Sequence, residues 1–118
     1  MRSQLMIVTI YHNPRCSKSR ETLRLIEKKG VQPNIIEYLK KPPNIAELRQ
    51  ILSKLGMAAP AIVRKKDAVD KGVELRNLTD DEILKSILQF PSILQRPIIL
   101  VGKKAVIGRP PENVLTIL

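Results

Sequence analysis

The chain has 118 residues, enough for a hydrophobic core without disulfides or metals, and we expect a single domain over residues 1–118. Its one cysteine excludes an intramolecular disulfide and a cysteine-rich metal site, which predicts a reducing compartment, the cytoplasm. Lys and Arg outnumber Asp and Glu by 21 to 11, and the resulting charge of +10 favours an anionic partner.

The distribution of the basic residues argues against nucleic acid as that partner. They are scattered over every predicted element, and the few aromatic residues offer no platform for stacking bases. A solvated basic surface and a site for a small anion both fit this pattern. The first apolar run is too short for a signal peptide or a membrane span, so we expect no membrane association.

The first predicted elements are a strand and a helix joined by a polar turn. Residues 5–11 are nearly all apolar and are followed by the turn dipeptide Asn13-Pro14, which predicts a short buried strand. Residues 18–29 then show helical spacing of leucine and isoleucine, with Ser17 as the expected N-cap. The only cysteine, Cys16, therefore lies in the turn between the predicted strand and the predicted helix.

This position of Cys16 favours a reactive thiol. A helix N-terminus offers unpaired N–H donors and a partial positive charge, and these lower the pKa of a thiol placed there. Arg15, Lys18 and Arg20 add positive charge on both sides. A buried, inert cysteine is the alternative, and it is the common state of a lone cysteine in the cytoplasm.

The middle of the chain alternates strand and helix signals. Ile35 and Ile36 centre a second strand over residues 34–38, so strand, helix and strand form a βαβ unit with parallel strands. A capping box at Asn44 opens a second helix that ends at Gly56. Residues 57–78 predict short helical pieces and loops, and a capping box over residues 79–82 opens a third helix.

The C-terminal part returns to strands. Residues 98–101 and 105–107 predict a β-hairpin, and residues 109–112 open a terminal helix. The sum is an α/β chain with a small mixed four-stranded sheet, built from a βαβ unit and a hairpin and flanked by helices. This layout is thioredoxin-like, and Arg96-Pro97 stands where such folds carry a proline that is commonly cis.

Three segments carry a resemblance to a known family. They are H-N-P-R-C-S-K-S-R-E-T-L near the N-terminus, Q-R-P-I-I-L at residues 95–100 and I-G-R-P-P-E at residues 107–112. Together, in this order, they resemble the glutaredoxin-coupled arsenate reductases, most closely their short subgroup. The resemblance covers essentially the whole chain and implies a thioredoxin-like fold.

The resemblance also implies an activity and a set of site residues. Cys16 would be the nucleophile that attacks arsenate, with His12 and Ser19 beside it to support its ionised state. The oxyanion-binding arginines would be Arg64, Arg96 and Arg109. Glutathione would be the co-substrate, glutaredoxin the protein partner and arsenite the product, with no bound cofactor or metal and with a monomeric chain.

Each arginine also has an ordinary interpretation. Arg64 begins a run of solvated charge, and Arg96 and Arg109 each precede a proline at the boundary of an element, where exposed arginines are common. His12 could simply hydrogen-bond the backbone of the turn.

Two other functions remain open at this stage. The Spx-type regulators that bind RNA polymerase share the fold, but they usually sense oxidants through a C-x-x-C pair, and Ser19 replaces the second cysteine here. A thiol-redox enzyme that acts on glutathione adducts is the other alternative.

Overall fold

The computed structural model describes residues 7–118, and these residues fold into two compact units. The first unit combines residues 7–37 with Arg96–Leu118, and the second unit is Tyr38–Gln95. Every strand of the sheet belongs to the first unit. The expectation of one domain over residues 1–118 stays a prediction.

The first unit is built on a four-stranded sheet. Its strands are β1 (Val8–His12), β2 (Asn34–Glu37), β3 (Ile98–Val101) and β4 (Lys104–Ile107), in the order β2-β1-β3-β4. β1 pairs with β2 in parallel and with β3 antiparallel, and β3 and β4 form the hairpin. The predicted mixed sheet is therefore confirmed, although residues 5 and 6 of the predicted first strand lie outside the described residues.

The core of the first unit joins the sheet to two helical elements. Helix α1 (Ser17–Lys28) follows β1, and a 3₁₀ helix (Pro111–Thr116) contacts α1 near the end of the chain. The buried apolar side chains at the centre of this core are Val8, Ile10, Ile26, Ile99 and Val114. Burial of these apolar side chains stabilises the packing of α1 against the strands.

The start of α1 differs from the prediction, because the N-cap is Cys16 and Ser17 is already helical. The backbone N–H of Cys16 donates to the carbonyl of Asn13 at 3.0 Å, which closes the preceding turn. Cys16 keeps an extended backbone with φ −95° and ψ 122°, and this is the usual conformation of an N-cap residue. The closed turn, rather than the capping preference of serine, sets the first residue of the helix.

The predicted terminal helix is present as a 3₁₀ helix rather than an α-helix. The backbone N–H of Ile117 donates to Val114 at 3.2 Å, three residues back. The carbonyl of Asn113, its α-helical partner, instead accepts from the hydroxyl of Thr116 at 2.7 Å. The hydroxyl of Thr116 thus uses, at the last turn, the acceptor that an α-helix would offer to the backbone.

The second unit is helical. Its α-helices are α2 (Ile45–Leu55), α3 (Lys65–Asp70) and α4 (Asp80–Gln89), joined by short 3₁₀ turns. Both predicted capping boxes are confirmed, at Asn44 for α2 and at Thr79 for α4.

No helix among residues 7–118 is long and apolar enough to cross a membrane.

Candidate active site

The turn that presents the cysteine is closed by hydrogen bonds on Asn13. The Asn13 side-chain oxygen accepts from the backbone N–H of Arg15 at 3.0 Å, and the Asn13 carbonyl accepts from Cys16. Arg20, one turn into α1, donates from Nη1 to the carbonyl of Pro14 at 2.9 Å. The turn is thus fixed from both ends, and the thiol is placed at the N-terminus of α1.

The environment of Cys16 lowers the pKa of its thiol. Burial is the largest single influence and acts to raise that pKa, since it disfavours the charged thiolate. The remaining influences together outweigh burial and hold the pKa below its ordinary value. In descending order they are the backbone N–H of Ser19, the side chain of Arg96, the backbone N–H of Lys18 and the charge of Arg109.

The two backbone groups in this set belong to the second and third residues of α1. Donors at these positions normally serve the oxygen of an N-cap side chain. Cys16 has sulfur at that place, and its side chain makes no capping hydrogen bond of standard geometry, so the two N–H groups act on it mainly through their charge distribution. A thiolate there meets both the helix donors and the positive end of the helix dipole. The arrangement therefore favours a nucleophile, and the interpretation of Cys16 as an inert core residue does not fit its partial exposure.

Arg109 reaches the thiol from the far end of the chain. Its Nη2 donates to Sγ of Cys16 at 3.4 Å, and its Nε donates to the carbonyl of Arg96 at 2.9 Å. The two hydrogen bonds fix the plane of the guanidinium. Arg96-Pro97 and Arg109-Pro110 are both cis peptide bonds, of which only the first was considered from the sequence.

The side chains of His12, at the end of β1, and Ser19, in the first turn of α1, contact each other. His12 Nδ1 lies 2.6 Å from Oγ of Ser19, and the same oxygen accepts from the backbone N–H of Asn13 at 3.0 Å. Since Oγ already accepts from Asn13, its hydrogen is available for Nδ1. Ser19 is fully buried, so this junction is shielded from water.

The protonation state of His12 agrees with that hydrogen bond. Burial is the largest influence and lowers the pKa of His12, and the charge of Arg20 lowers it further, against the opposing charges of Glu37 and Glu27. A lowered pKa favours the neutral imidazole at pH 7. We therefore assign Nδ1 as an acceptor and place the ring proton on Nε2.

Comparison with known proteins identifies the family of this chain. The ArsC family model matches residues 11–117, which is nearly the whole chain. The chain belongs to the ArsC family. The resemblance noted in the sequence is confirmed.

Several ArsC relatives match over nearly their full length. An arsenate reductase from Haemophilus influenzae is 49% identical over 116 residues, covering 96% of this chain and 100% of the relative. One from Neisseria meningitidis serogroup A is 44% identical, covering 94% of this chain and 97% of the relative. A solved arsenate reductase from Vibrio cholerae is similar with a TM-score of 0.86 and 40% identity, covering 96% of this chain and 98% of that chain.

Arg64, the remaining predicted site residue, belongs to the second unit of the ArsC chain. It is the N-cap residue of α3, and its Nε lies 3.9 Å from Oδ2 of Asp67 within the same unit. Its backbone N–H donates to the carbonyl of Ile93 at 2.7 Å. The role of Arg64 in oxyanion binding stays a prediction from the resemblance.

Sequence reasoning missed some of the residues that build the candidate site. Asn13 was interpreted only as part of a turn, yet it supplies hydrogen bonds to both sides of Cys16. Gly108 and Asn113 were not singled out, although both contact the segment that carries Arg109. The only usable signal was residue type, since asparagine often bonds the backbone of nearby residues.

Among residues 7–118, no group of three or more His, Cys, Asp or Glu side chains is arranged to hold a metal ion.

Proposed function

We propose that this chain reduces arsenate to arsenite, with the thiolate of Cys16 as the nucleophile. The single observation that carries the proposal is the geometry at Sγ of Cys16. The thiol lies at the N-terminus of α1, and Nη2 of Arg109 donates to it at 3.4 Å. This contact supports a site in which the thiol of Cys16 is the nucleophile and the guanidinium of Arg109 binds the oxyanion.

The charges of the reaction explain why arginines are needed. Arsenate is a tetrahedral anion at neutral pH, so attack by a thiolate brings two negative species together. A guanidinium stays charged and binds oxyanions through paired donors, whereas lysine offers only a point charge. Arg96 and Arg109 supply this positive charge beside Cys16.

The chemistry balances as a two-electron reduction. Sγ of Cys16 attacks arsenic(V) and displaces one oxygen as water, which leaves a thiol–arsenate adduct. The thiolate of glutathione then attacks Sγ, and the electron pair of the S–As bond passes to arsenic, which leaves as arsenite. Cys16 is left as a mixed disulfide with glutathione.

Regeneration of Cys16 needs a second external thiol. The sequence holds one cysteine, so no internal thiol can resolve the mixed disulfide. We propose glutaredoxin for this step, since its thiolate attacks the glutathione sulfur and releases the Cys16 thiolate. The net reaction consumes arsenate and two thiols and gives arsenite, a glutaredoxin–glutathione disulfide and water.

A coupled assay tests this function. Purified protein is mixed with arsenate, glutathione, glutaredoxin and glutathione reductase, and NADPH consumption is followed. We expect turnover that requires arsenate and glutaredoxin and that Cys16→Ser abolishes. Arg96→Lys and Arg109→Lys should raise the KM for arsenate, whereas Arg24→Lys, on the exposed face of α1, is the matched control and should not.

The result that overturns the proposal is equally specific. No arsenate-dependent turnover, with Cys16 still forming a mixed disulfide with glutathione, would leave a thiol-redox enzyme for glutathione adducts as the better interpretation. The same assay with Arg64→Lys tests the predicted role of Arg64, and an unchanged KM for arsenate would remove that residue from the proposed site.

A further inference from the structure

The segment that carries Arg109 is a tight turn between β4 and the terminal 3₁₀ helix. The backbone N–H of Gly108 donates to the carbonyl of Pro97 at 2.9 Å, and that of Arg109 donates to Ile107 at 2.8 Å. The first of these bonds ties the turn to the segment that precedes β3. The direction in which Arg109 leaves the backbone therefore depends on the geometry of this turn.

Close packing at Gly108 leaves the turn little room to move. A Cβ added at Gly108 would lie 2.6 Å from Oγ1 of Thr22 in α1 and 2.7 Å from Cγ of Pro97. Thr22 is fully buried, and its hydroxyl is held by the carbonyl of Lys18 at 2.8 Å. The turn thus rests on α1, the helix whose N-terminus carries Cys16.

The amide of Asn113 closes the turn from its other side. Nδ2 of Asn113 donates to the carbonyl of Ile107 at 3.2 Å and to the carbonyl of Arg109 at 3.1 Å. Both partners are acceptors, so the amide nitrogen rather than the oxygen must face them. The backbone N–H of Asn113 also donates to the carbonyl of Pro110 at 3.0 Å, which holds the backbone from which this side chain extends.

We propose that Asn113 is a positioning residue whose side-chain amide holds Arg109 so that its guanidinium contacts the thiol of Cys16. The two carbonyls that the amide binds lie on either side of the Gly108–Arg109 peptide units, so losing both bonds frees the backbone of Arg109. Its Nε and Nη2 would then lose their alignment with the carbonyl of Arg96 and with Sγ. The inference rests on the proposed function only in taking Cys16 as the nucleophile.

The test measures the ionisation of Cys16 without arsenate. Cys16 is the only cysteine in the sequence, so the alkylation rate with iodoacetamide, a neutral probe, reports this thiol alone. The rate constant is measured against pH for the natural chain and for Asn113→Leu, which removes the donor without adding charge. We expect the midpoint of the profile to move to higher pH and the rate near pH 7 to fall several-fold.

Matched variants separate positioning from general loss of structure. Asn113→Gln keeps an amide donor and should restore much of the profile. Thr116→Val removes a hydrogen bond from the same 3₁₀ helix, the one to the carbonyl of Asn113, and should leave the profile in place. If Asn113→Leu does not fold, the alkylation profile of Asn113→Ala is compared with that of the natural chain instead. Thermal unfolding of each variant shows whether it is folded.

A double-mutant cycle gives the decisive readout. If Asn113 acts through Arg109, adding Asn113→Leu to Arg109→Ala should not move the alkylation midpoint further. The inference would be overturned if Asn113→Leu moved the midpoint equally in the natural chain and in the Arg109→Ala variant. It would also be overturned if Asn113→Leu alone left the midpoint unchanged. Since no arsenate is used, these outcomes are independent of whether the proposed reduction occurs.

Discussion

The lowered pKa of the Cys16 thiol links the stability of the chain to pH. Between the folded pKa and the ordinary value of 9.0, the unfolded chain holds a proton on Cys16 that the folded chain has released. Stability rises with pH wherever the unfolded state binds more protons. This contribution is therefore fully present above the unfolded pKa and is lost as the pH falls through the folded pKa.

The contribution of the Cys16 thiolate to stability should therefore grow with pH. The free energy of unfolding of the natural chain, minus that of Cys16→Ser, should increase as the pH is raised from about 6 to about 9. Urea denaturation of both chains across this range measures the difference, in which the other titrating groups cancel. A difference that is flat or falls with pH would show that the thiol is not stabilised as the anion.

Ser19 is the second residue whose role can be isolated. Its buried hydroxyl serves both Nδ1 of His12 and the backbone N–H of Asn13. Ser19→Ala leaves both groups without that partner, and each unsatisfied buried polar group costs about 1 to 3 kcal/mol. We expect a total loss of about 2 kcal/mol or more in urea denaturation, since two groups lose their partner. Alkylation of Cys16 should also be slower, because the turn at Asn13 is loosened.

The control for Ser19 is Ser17, in the same turn of α1 but exposed. Ser17→Ala should change the unfolding free energy by no more than about 0.5 kcal/mol, as exposed substitutions usually do. Similar losses in the two variants would mean that the cost comes from the helix rather than from the buried hydrogen bonds.

At the scale of elements, the contact between α1 and the end of β4 depends on Gly108. The backbone of Gly108 is not left-handed, so alanine there would be costly for steric reasons alone. Overpacking of this kind typically costs about 1 to 3 kcal/mol. We expect Gly108→Ala to lower the unfolding free energy by this amount.

A compensating change checks that the cost is steric. Thr22→Ala removes the two closest Thr22 atoms, at 2.6 and 3.2 Å from the added Cβ, but leaves Cγ of Pro97 at 2.7 Å. The double variant Gly108→Ala/Thr22→Ala should therefore be less destabilised than the sum of the single variants, with a coupling of about 0.5 to 3 kcal/mol. Strict additivity would place the cost elsewhere.

The elements that could be predicted from the sequence are those specified by local signals. Asn44 and Thr79 each begin a helix through a capping box, and glutamate three residues later completes both boxes as expected. The 3₁₀ form of Pro111–Thr116 was not predicted, because a proline in the first turn and the spacing of the apolar residues are compatible with either type of helix.

At the scale of the whole molecule, the site joins residues that are far apart in sequence. The position of Cys16 between a strand and a helix could be predicted, because the spacing of apolar residues changes there. Its contact with Arg109 could not, because the two residues are 93 positions apart in the sequence. The sheet order β2-β1-β3-β4 places β1, which precedes Cys16, beside β3 of the C-terminal hairpin. This pairing brings Gly108 close to Thr22 of α1. Arg96 and Arg109 could be chosen from the resemblance, whereas the support given by Asn113 could not.

The net charge of the molecule gives the last prediction. A formal charge of +10 should attract anionic reagents to Cys16 more than neutral ones, as for any anion approaching a positive surface. Iodoacetate is an anion and iodoacetamide is neutral, yet both alkylate a thiolate by the same displacement. Their rate ratio at fixed pH therefore isolates the electrostatic contribution, because the fraction of ionised Cys16 cancels.

Salt should reduce that ratio. The Debye length falls from about 30 Å at 0.01 M salt to about 3 Å at 1 M, so the field of distant lysines and arginines is screened while direct contacts at Cys16 are screened less. We expect the iodoacetate-to-iodoacetamide ratio to fall by about tenfold over this range, near the lower end of electrostatic steering. A ratio that does not change with salt would mean that the scattered basic surface does not draw anions to the thiol and that only the local arginines act on the incoming oxyanion.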